Sequence, residues 1–330
     1  MRLIDVETLE LSEFFGSSIP RYAILSHCWG VEEVTFQDWQ DLDKASRKRG
    51  FPKIQGACRQ AKRDHYRWLW VDTNCIDKTS SAELTEAINS MYQWYAGAGI
   101  CYAYLSDLGP SNDIKFRHSK WFTRGWTLQE LVAPRKVAFY DVDWNFIGLK
   151  AENHMQQYSE SSSDFLQQIS FATGISHEVL LNPESIRTQT VAQRMSWVSR
   201  RETTRVEDIA YCMLGLFDIN MPLLYGEGMK AFMRLQEEII KVSTDHSIFC
   251  WEWTASVPEN WVGLLAPSPD TFASHDGSLY RHLFNYSPIY SMTNAGLSIR
   301  LPVINTTAGY MICLNGAQTA TFPNPSGPVA

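Results

Sequence analysis

The chain is 330 residues long, with 45% apolar and 13% aromatic residues, enough to bury a substantial core as one large domain or two ordinary ones. Its net charge of -7 is spread along a sequence whose longest basic block is Arg47-Lys48-Arg49, which argues against a nucleic-acid groove or an anionic membrane patch. An acidic N-terminal stretch, the absence of any apolar run of bilayer length, and seven cysteines that stand singly without a CxxC pair predict a cytoplasmic protein with reduced core thiols and no membrane span.

Leu3 to Phe15 reads as a first strand and turn. Tyr22-Ala-Ile-Leu25 is a short apolar strand running into Ser26-His-Cys-Trp-Gly30. That loop is either a ligand loop at the carboxyl end of a strand or an ordinary turn around a buried Trp. His27 by itself is an isolated histidine, a pattern that is more often structural than catalytic.

From Pro52 to Tyr66, Ile54, Ala57, Cys58 and Ala61 recur at helical spacing. Trp68-Leu-Trp-Val71 is a continuous apolar strand ending at Asp72, which either faces a strand-end crevice or caps the following turn. Ser80 and Ser81 open a helix from Glu83 to Tyr95 with Leu84, Ala87, Ile88, Met91 and Tyr95 on one stripe and glycines closing it. Ile100 to Leu105 is the next buried strand and ends in Ser106-Asp107. A loop from Gly109 to about Ser119 follows.

Trp126-Thr-Leu-Gln-Glu130-Leu131 predicts a short helix stopped by Pro134, with the strand Lys136 to Tyr140 behind it. Residues four apart share a helix face, so Trp126 and Glu130 are expected to project together. Glu130 is then either a working carboxylate held against the sheet or a solvated charge on an amphipathic helix.

Strand and helix alternate throughout this region, which predicts an α/β domain over residues 1–150 with a mostly parallel sheet and helices on both faces. Ser26, Asp72 and Asp107 come from three strand ends along one edge, and Glu130 lies on the helix after the third. After a polar, linker-like run at Ser159 to Ser163, helical patterns at Asp164 to Phe171, Val191 to Ser199, Val206 to Phe217 and Gly228 to Val242 form a helical segment, 151–250, packed on that domain. From Ser247 the chain reads as strand-like, giving a β-rich region over 251–330 with a loose tail from Phe322. The scattered histidines and carboxylates have neither HExxH nor EF-hand spacing, so no metal or cofactor is expected.

Four blocks in order, Tyr22 to Gly30, Trp68 to Asp77, Ala82 to Tyr95 with Tyr102 to Asp107, and Trp121 to Leu131, resemble those of the fungal HET (heterokaryon incompatibility) domain. Arg200 to Phe249 resembles what often follows that domain. The resemblance implies an effector of self/non-self recognition ending in regulated cell death, acting with a sensor. No GxxxxGK[ST] sensor motif occurs in the chain.

HET domains are in turn distantly similar to TIR domains, whose flavodoxin-like order agrees with the alternation above. Many TIR domains cleave NAD+ with a Glu in a Trp-Cys-x-x-Glu-Leu segment, which Trp126 to Leu131 matches except for Thr127. The resemblance thus implies NAD+ or a related dinucleotide as substrate and Glu130 as the catalytic carboxylate. Ser26, Asp72 and Asp107 are candidate substrate contacts from their strand ends; Trp29 or Trp126 suits stacking on a flat ring, and Arg124 suits a pyrophosphate. The alternative is a non-catalytic module that assembles with copies of itself or with a sensor through exposed aromatics such as Trp94-Tyr95, Trp121-Phe122 and Trp144. A dinucleotide oxidoreductase lacks its GxGxxG turn.

Overall fold

The computed structural model describes residues 1–109, 114–151, 160–275, 289–294, 296–301, 303–306 and 309–312. The N-terminal stretch forms a hairpin, β1 (Arg2–Asp5) with β2 (Leu11–Glu13), in place of one strand and a turn. Then come β3 (Tyr22–His27), short turns α1 (Phe36–Trp39) and α2 (Leu42–Ala45), and α3 (Phe51–Arg63). The chain continues through β4 (Trp68–Trp70), the single turn α4 (Asp72–Cys75), α5 (Ser81–Gly97), β5 (Ile100–Tyr104), α6 (Thr127–Val132), β6 (Lys136–Tyr140) and β7 (Phe146–Ala151).

These strands form one seven-stranded sheet in the order β2-β1-β4-β3-β5-β6-β7. The middle four run parallel; β1 and β2 at one edge and β7 at the other are antiparallel additions. The chain is thus α/β with a mostly parallel central sheet. All six residues of β3 are buried, so both faces of that strand are covered, as a continuous apolar run requires. Right-handed crossovers place α3, which carries the chain from β3 to β4, on the face opposite α5 and α6, which carry it the other way.

Local chemistry explains the longer helices. Pro52 occupies the first turn of α3, where its missing N–H has no cost, and Ile54, Ala57, Cys58 and Ala61 form the buried stripe. The Ser80 hydroxyl accepts the Glu83 N–H and caps α5, which buries Ala87, Ile88, Met91 and Tyr95.

The helical segment comprises α7 (Glu160–Thr173), α8 (His177–Leu181), α9 (Val191–Ser196), α10 (Asp208–Tyr211), α11 (Leu214–Phe217) and α12 (Lys230–Val242). The polar run expected as a linker is helical from Glu160 onward, and Ser159 lies outside the described residues. The pattern from Val206 to Phe217 is two short helices, and Gly215 in the second is pressed on α5: a Cβ there would lie 2.1 Å from Cβ of Tyr92. At β7 the Phe165 ring of α7 similarly covers Gly148. One continuous buried core runs through sheet and helices, from Leu3 to Tyr290.

Residues 247–275 carry 3-10 turns and irregular backbone instead of the expected strands. Among the described residues, the strands of this region are two hairpins, β8 (Tyr290–Thr293) with β9 (Gly296–Ile299) and β10 (Val303–Thr306) with β11 (Gly309–Ile312). The loop residues 110–113 and the tail from Phe322 lie outside the described residues. No helix among the described residues is long and apolar enough to cross a membrane.

Candidate functional site

In an open parallel sheet, ligands collect where neighbouring strands send their connections to opposite sides. Here that point lies between β3 and β5, where Ser26 pairs with Ala103 and His27 with Tyr104. Successive side chains of a strand point to opposite faces, so Ser26 and His27 start two separate clusters.

Ser26 faces α6. Its hydroxyl is fully buried, donates a short hydrogen bond to Oε2 of Glu130, and accepts the indole N–H of Trp121 at 2.8 Å. Glu130 is 7% exposed, and every residue of α6 is buried, because the helix is wedged against β3, α5 and α8. The solvated-helix alternative is therefore excluded. Burial pushes the Glu130 carboxyl up to about 8; hydrogen bonds from Ser26 and Tyr95 and the charge of Arg124 oppose the shift, and the charge of Asp72 adds to it. At neutral pH the group is mostly a neutral acid. Nearby, burial also raises the Cys28 thiol to about 12, so it is no nucleophile at neutral pH.

His27 faces the other cluster, centred on Asp72 in the turn after β4. The Asp72 carboxylate meets Nε2 of His27 at 3.0 Å, accepts the indole N–H of Trp29 at 3.0 Å, and accepts from Nζ of Lys78 at 3.1 Å. Burial raises its pKa, but the Lys78 charge and the His27 hydrogen bond outweigh this and hold it well below the usual carboxylate range. Nζ of Lys78 also lies 3.6 Å from the centre of the Trp29 ring, which is 53% exposed. The loop is fastened from beneath by the buried pair Lys53 to Glu33, 2.6 Å apart, and Glu33 in turn accepts the Gly30 N–H at 2.6 Å.

The other candidates sit apart. Asp107 accepts from the Ser119 hydroxyl at 2.7 Å and the Lys120 N–H at 2.8 Å, bracing the turn that presents Trp121. The Arg124 guanidinium reaches the Thr204 hydroxyl at 3.4 Å. Trp126 does not join Glu130 as helical spacing suggested. It stands at the residue before α6 and directs its indole N–H to Asp208 at 3.3 Å, which leaves Trp121 as the indole that shares Ser26 with the acid. Tyr95, Trp121 and Phe122, considered as exposed anchors, are buried, and Trp94 and Trp144 pack half-buried on the core.

Arg201 is a component that sequence reading did not find. It is buried in the helical segment and donates to the carbonyls of Trp197 at 3.0 Å and Arg124 at 2.8 Å and to the Thr127 hydroxyl at 3.0 Å. It thereby holds the first turn of the helix that carries Glu130. Among the described residues no group of three or more His, Cys, Asp or Glu is arranged to hold a metal. Neither of two sizeable cavities, one lined by Arg201 and one beside Tyr22 and Trp94, includes Glu130.

Residues 22–116 match the family model described as heterokaryon incompatibility protein (HET). The chain carries a HET domain. That domain contains Ser26, Trp29, Asp72 and Asp107, while Trp121, Arg124, Trp126 and Glu130 follow the matched residues. The chain is similar to the vegetative incompatibility protein HET-E-1 of Podospora anserina, at 44% identity over 238 residues. That match covers 68% of this chain and 16% of the relative, so the chain spans a small part of the protein it resembles. No solved structure matches.

Proposed function

We propose that this chain is an effector of fungal heterokaryon incompatibility and regulated cell death that cleaves the bond between nicotinamide and ribose of NAD+. The observation that carries the reading is the buried Ser26–Glu130 pair at the switch point of the sheet. Three further features support it: the similarity to HET-E-1, the likeness of Trp126 to Leu131 to the Trp-Cys-x-x-Glu-Leu segment of TIR domains, and a parallel-strand order that follows the flavodoxin-like pattern.

On this reading, bond cleavage leaves an oxocarbenium-like ribose, and water then adds to the anomeric carbon, or a hydroxyl of the same molecule does so in cyclisation. Nicotinamide leaves as a neutral ring, so no strong acid is needed. A carboxylate beside the sugar stabilises the developing charge, and that charge in turn favours ionisation of Glu130. Ser26 holds the carboxyl in place. Trp29 with Lys78 is the exposed aromatic platform for a ring, and Arg124 is the cation for the pyrophosphate. Access to Glu130 requires the turn carrying Trp121 to yield.

A second reading, a non-catalytic module that assembles with copies of itself or with a sensor, is favoured by the covering of Glu130 by Ser26 and Trp121 and by the exposure of Trp29. Nicotinamide release from NAD+ across a protein concentration series separates the two. The enzymatic reading expects release that Glu130→Gln abolishes; no release up to concentrations at which the protein self-assembles leaves the module. Release that survives the substitution keeps the activity but removes Glu130 from it.

A further inference from the structure

A cavity of about 580 Å³ lies between the turn carrying Trp121, the C-terminal end of α7, α9 and the Trp197 to Arg201 stretch. Its size is that of a small-molecule site. The residues that line it include Arg117, Arg200 and Arg201 and no Asp or Glu, although the whole chain carries a net charge of -7. Ser170 also lines the wall, while the hydroxyls of Ser196 and Ser199, likewise lining it, already donate to the carbonyls of Gln193 and Ser196.

Two of the arginines have spare hydrogen-bonding capacity. Nη2 of Arg201 and Nε of Arg117 are buried without a hydrogen-bond partner among the described residues. A buried, unmatched guanidinium N–H is costly, and an anion removes the cost. Arg117 is placed by the ring of Phe171, its guanidinium 5.0 Å from the ring centre. Arg201 is placed by the bonds of its Nε and Nη1 to Trp197, Arg124 and Thr127, which leaves Nη2 as the nitrogen free to donate to an anionic oxygen.

We propose that this cavity is a binding site for a phosphate-bearing small molecule, anchored by Arg201 with Arg117 and Arg200. The site is separate from Glu130 and joined to it by the bonds from Arg201 to the first turn of α6. It does not depend on NAD+ turnover.

Calorimetric titration with inorganic pyrophosphate tests it, with no activity in the readout. The expected result is saturable binding at one site that weakens as salt is raised. Gln193 lines the cavity, and its Oε1 accepts from the Thr190 N–H in a capping box at the start of α9. Glu serves that box equally well, so Gln193→Glu keeps the fold while adding a negative charge to the wall. Gln193→Glu and Arg200→Gln are each expected to weaken pyrophosphate binding about tenfold with unchanged melting temperature. Competition by ADP identifies a nucleotide as the occupant; pyrophosphate binding without such competition identifies a small phosphate. Absence of binding at millimolar pyrophosphate, or binding that Gln193→Glu and Arg200→Gln leave intact, overturns the proposal.

Discussion

Ser26 and Glu130 stand 104 residues apart in the chain and share a short hydrogen bond in the core. The pairing joins a central strand to the helix that follows the next strand over, so the fold itself brings an acid into a place where water does not reach it. Its protonation is therefore tied to the integrity of the fold.

Glu130 should leave a signature in the pH dependence of stability. Its pKa is raised from 4.5 to about 8 in the folded protein, so between those values the folded state holds a proton that the unfolded state has lost. Stability contributed by this group then falls as pH rises through that window, by at most about 1.4 kcal/mol per pH unit, and levels off above it. Urea midpoints across the window should show this slope in the wild type and its loss in Glu130→Gln. The variant should be the more stable protein at pH 9. Parallel profiles for the two proteins contradict the assignment.

Two neighbours should move that titration in opposite directions. The Ser26 hydrogen bond lowers the pKa of Glu130 and the Asp72 charge raises it. Ser26→Ala should therefore shift the midpoint up and Asp72→Asn should shift it down, read from the carboxyl carbon resonance of Glu130. Ser26→Ala also strands the indole N–H of Trp121, at a cost of about 1–3 kcal/mol. Shifts of the same sign would mean that the two clusters do not sense each other as described.

Lys53 and Glu33 form an ion pair with side chains 8% and 10% exposed. Removing one partner leaves the other charged and buried, so Lys53→Met should destabilise the protein by about 3 kcal/mol. Because Glu33 also holds the Gly30 N–H, the loop bearing Trp29 should loosen, seen as a change in Trp29 emission in a variant whose other tryptophans are silenced by labelling. The double variant Lys53→Met, Glu33→Leu should regain much of the loss.

Gly215→Ala tests the contact between α11 and α5. The added methyl has no room against Tyr92, and overpacking of this kind costs about 1–3 kcal/mol or more. Gly226→Ala is the contrasting case: no atom lies within 4 Å of the added Cβ, and the cost comes from the backbone, whose φ is +101°. A melting-temperature change in Gly215→Ala that Tyr92→Ala relieves assigns the loss to this contact. No relief places it elsewhere.

The four parallel strands, the Phe51–Arg63 and Ser81–Gly97 helices and the α/β class were legible in the sequence, because continuous apolar runs, a 3.6-residue stripe and a serine cap are local signals that local backbone geometry obeys. The placement of Ser26 at a strand end and of Glu130 on a short helix was legible for the same reason, but whether that helix was solvated or buried was decided by packing. Which side chains meet was a different matter. Helical spacing paired Glu130 with Trp126, but packing sent Trp126 to Asp208 and brought Trp121 to Ser26. Arg201 gave no signal in sequence, since an arginine after a short helix reads as surface until α6 and the segment after α9 close over it. Periodicity along a chain decides which face of an element is buried; only the order of strands and the packing of distant segments decide what that face meets, and the state of the Glu130 proton follows from that meeting.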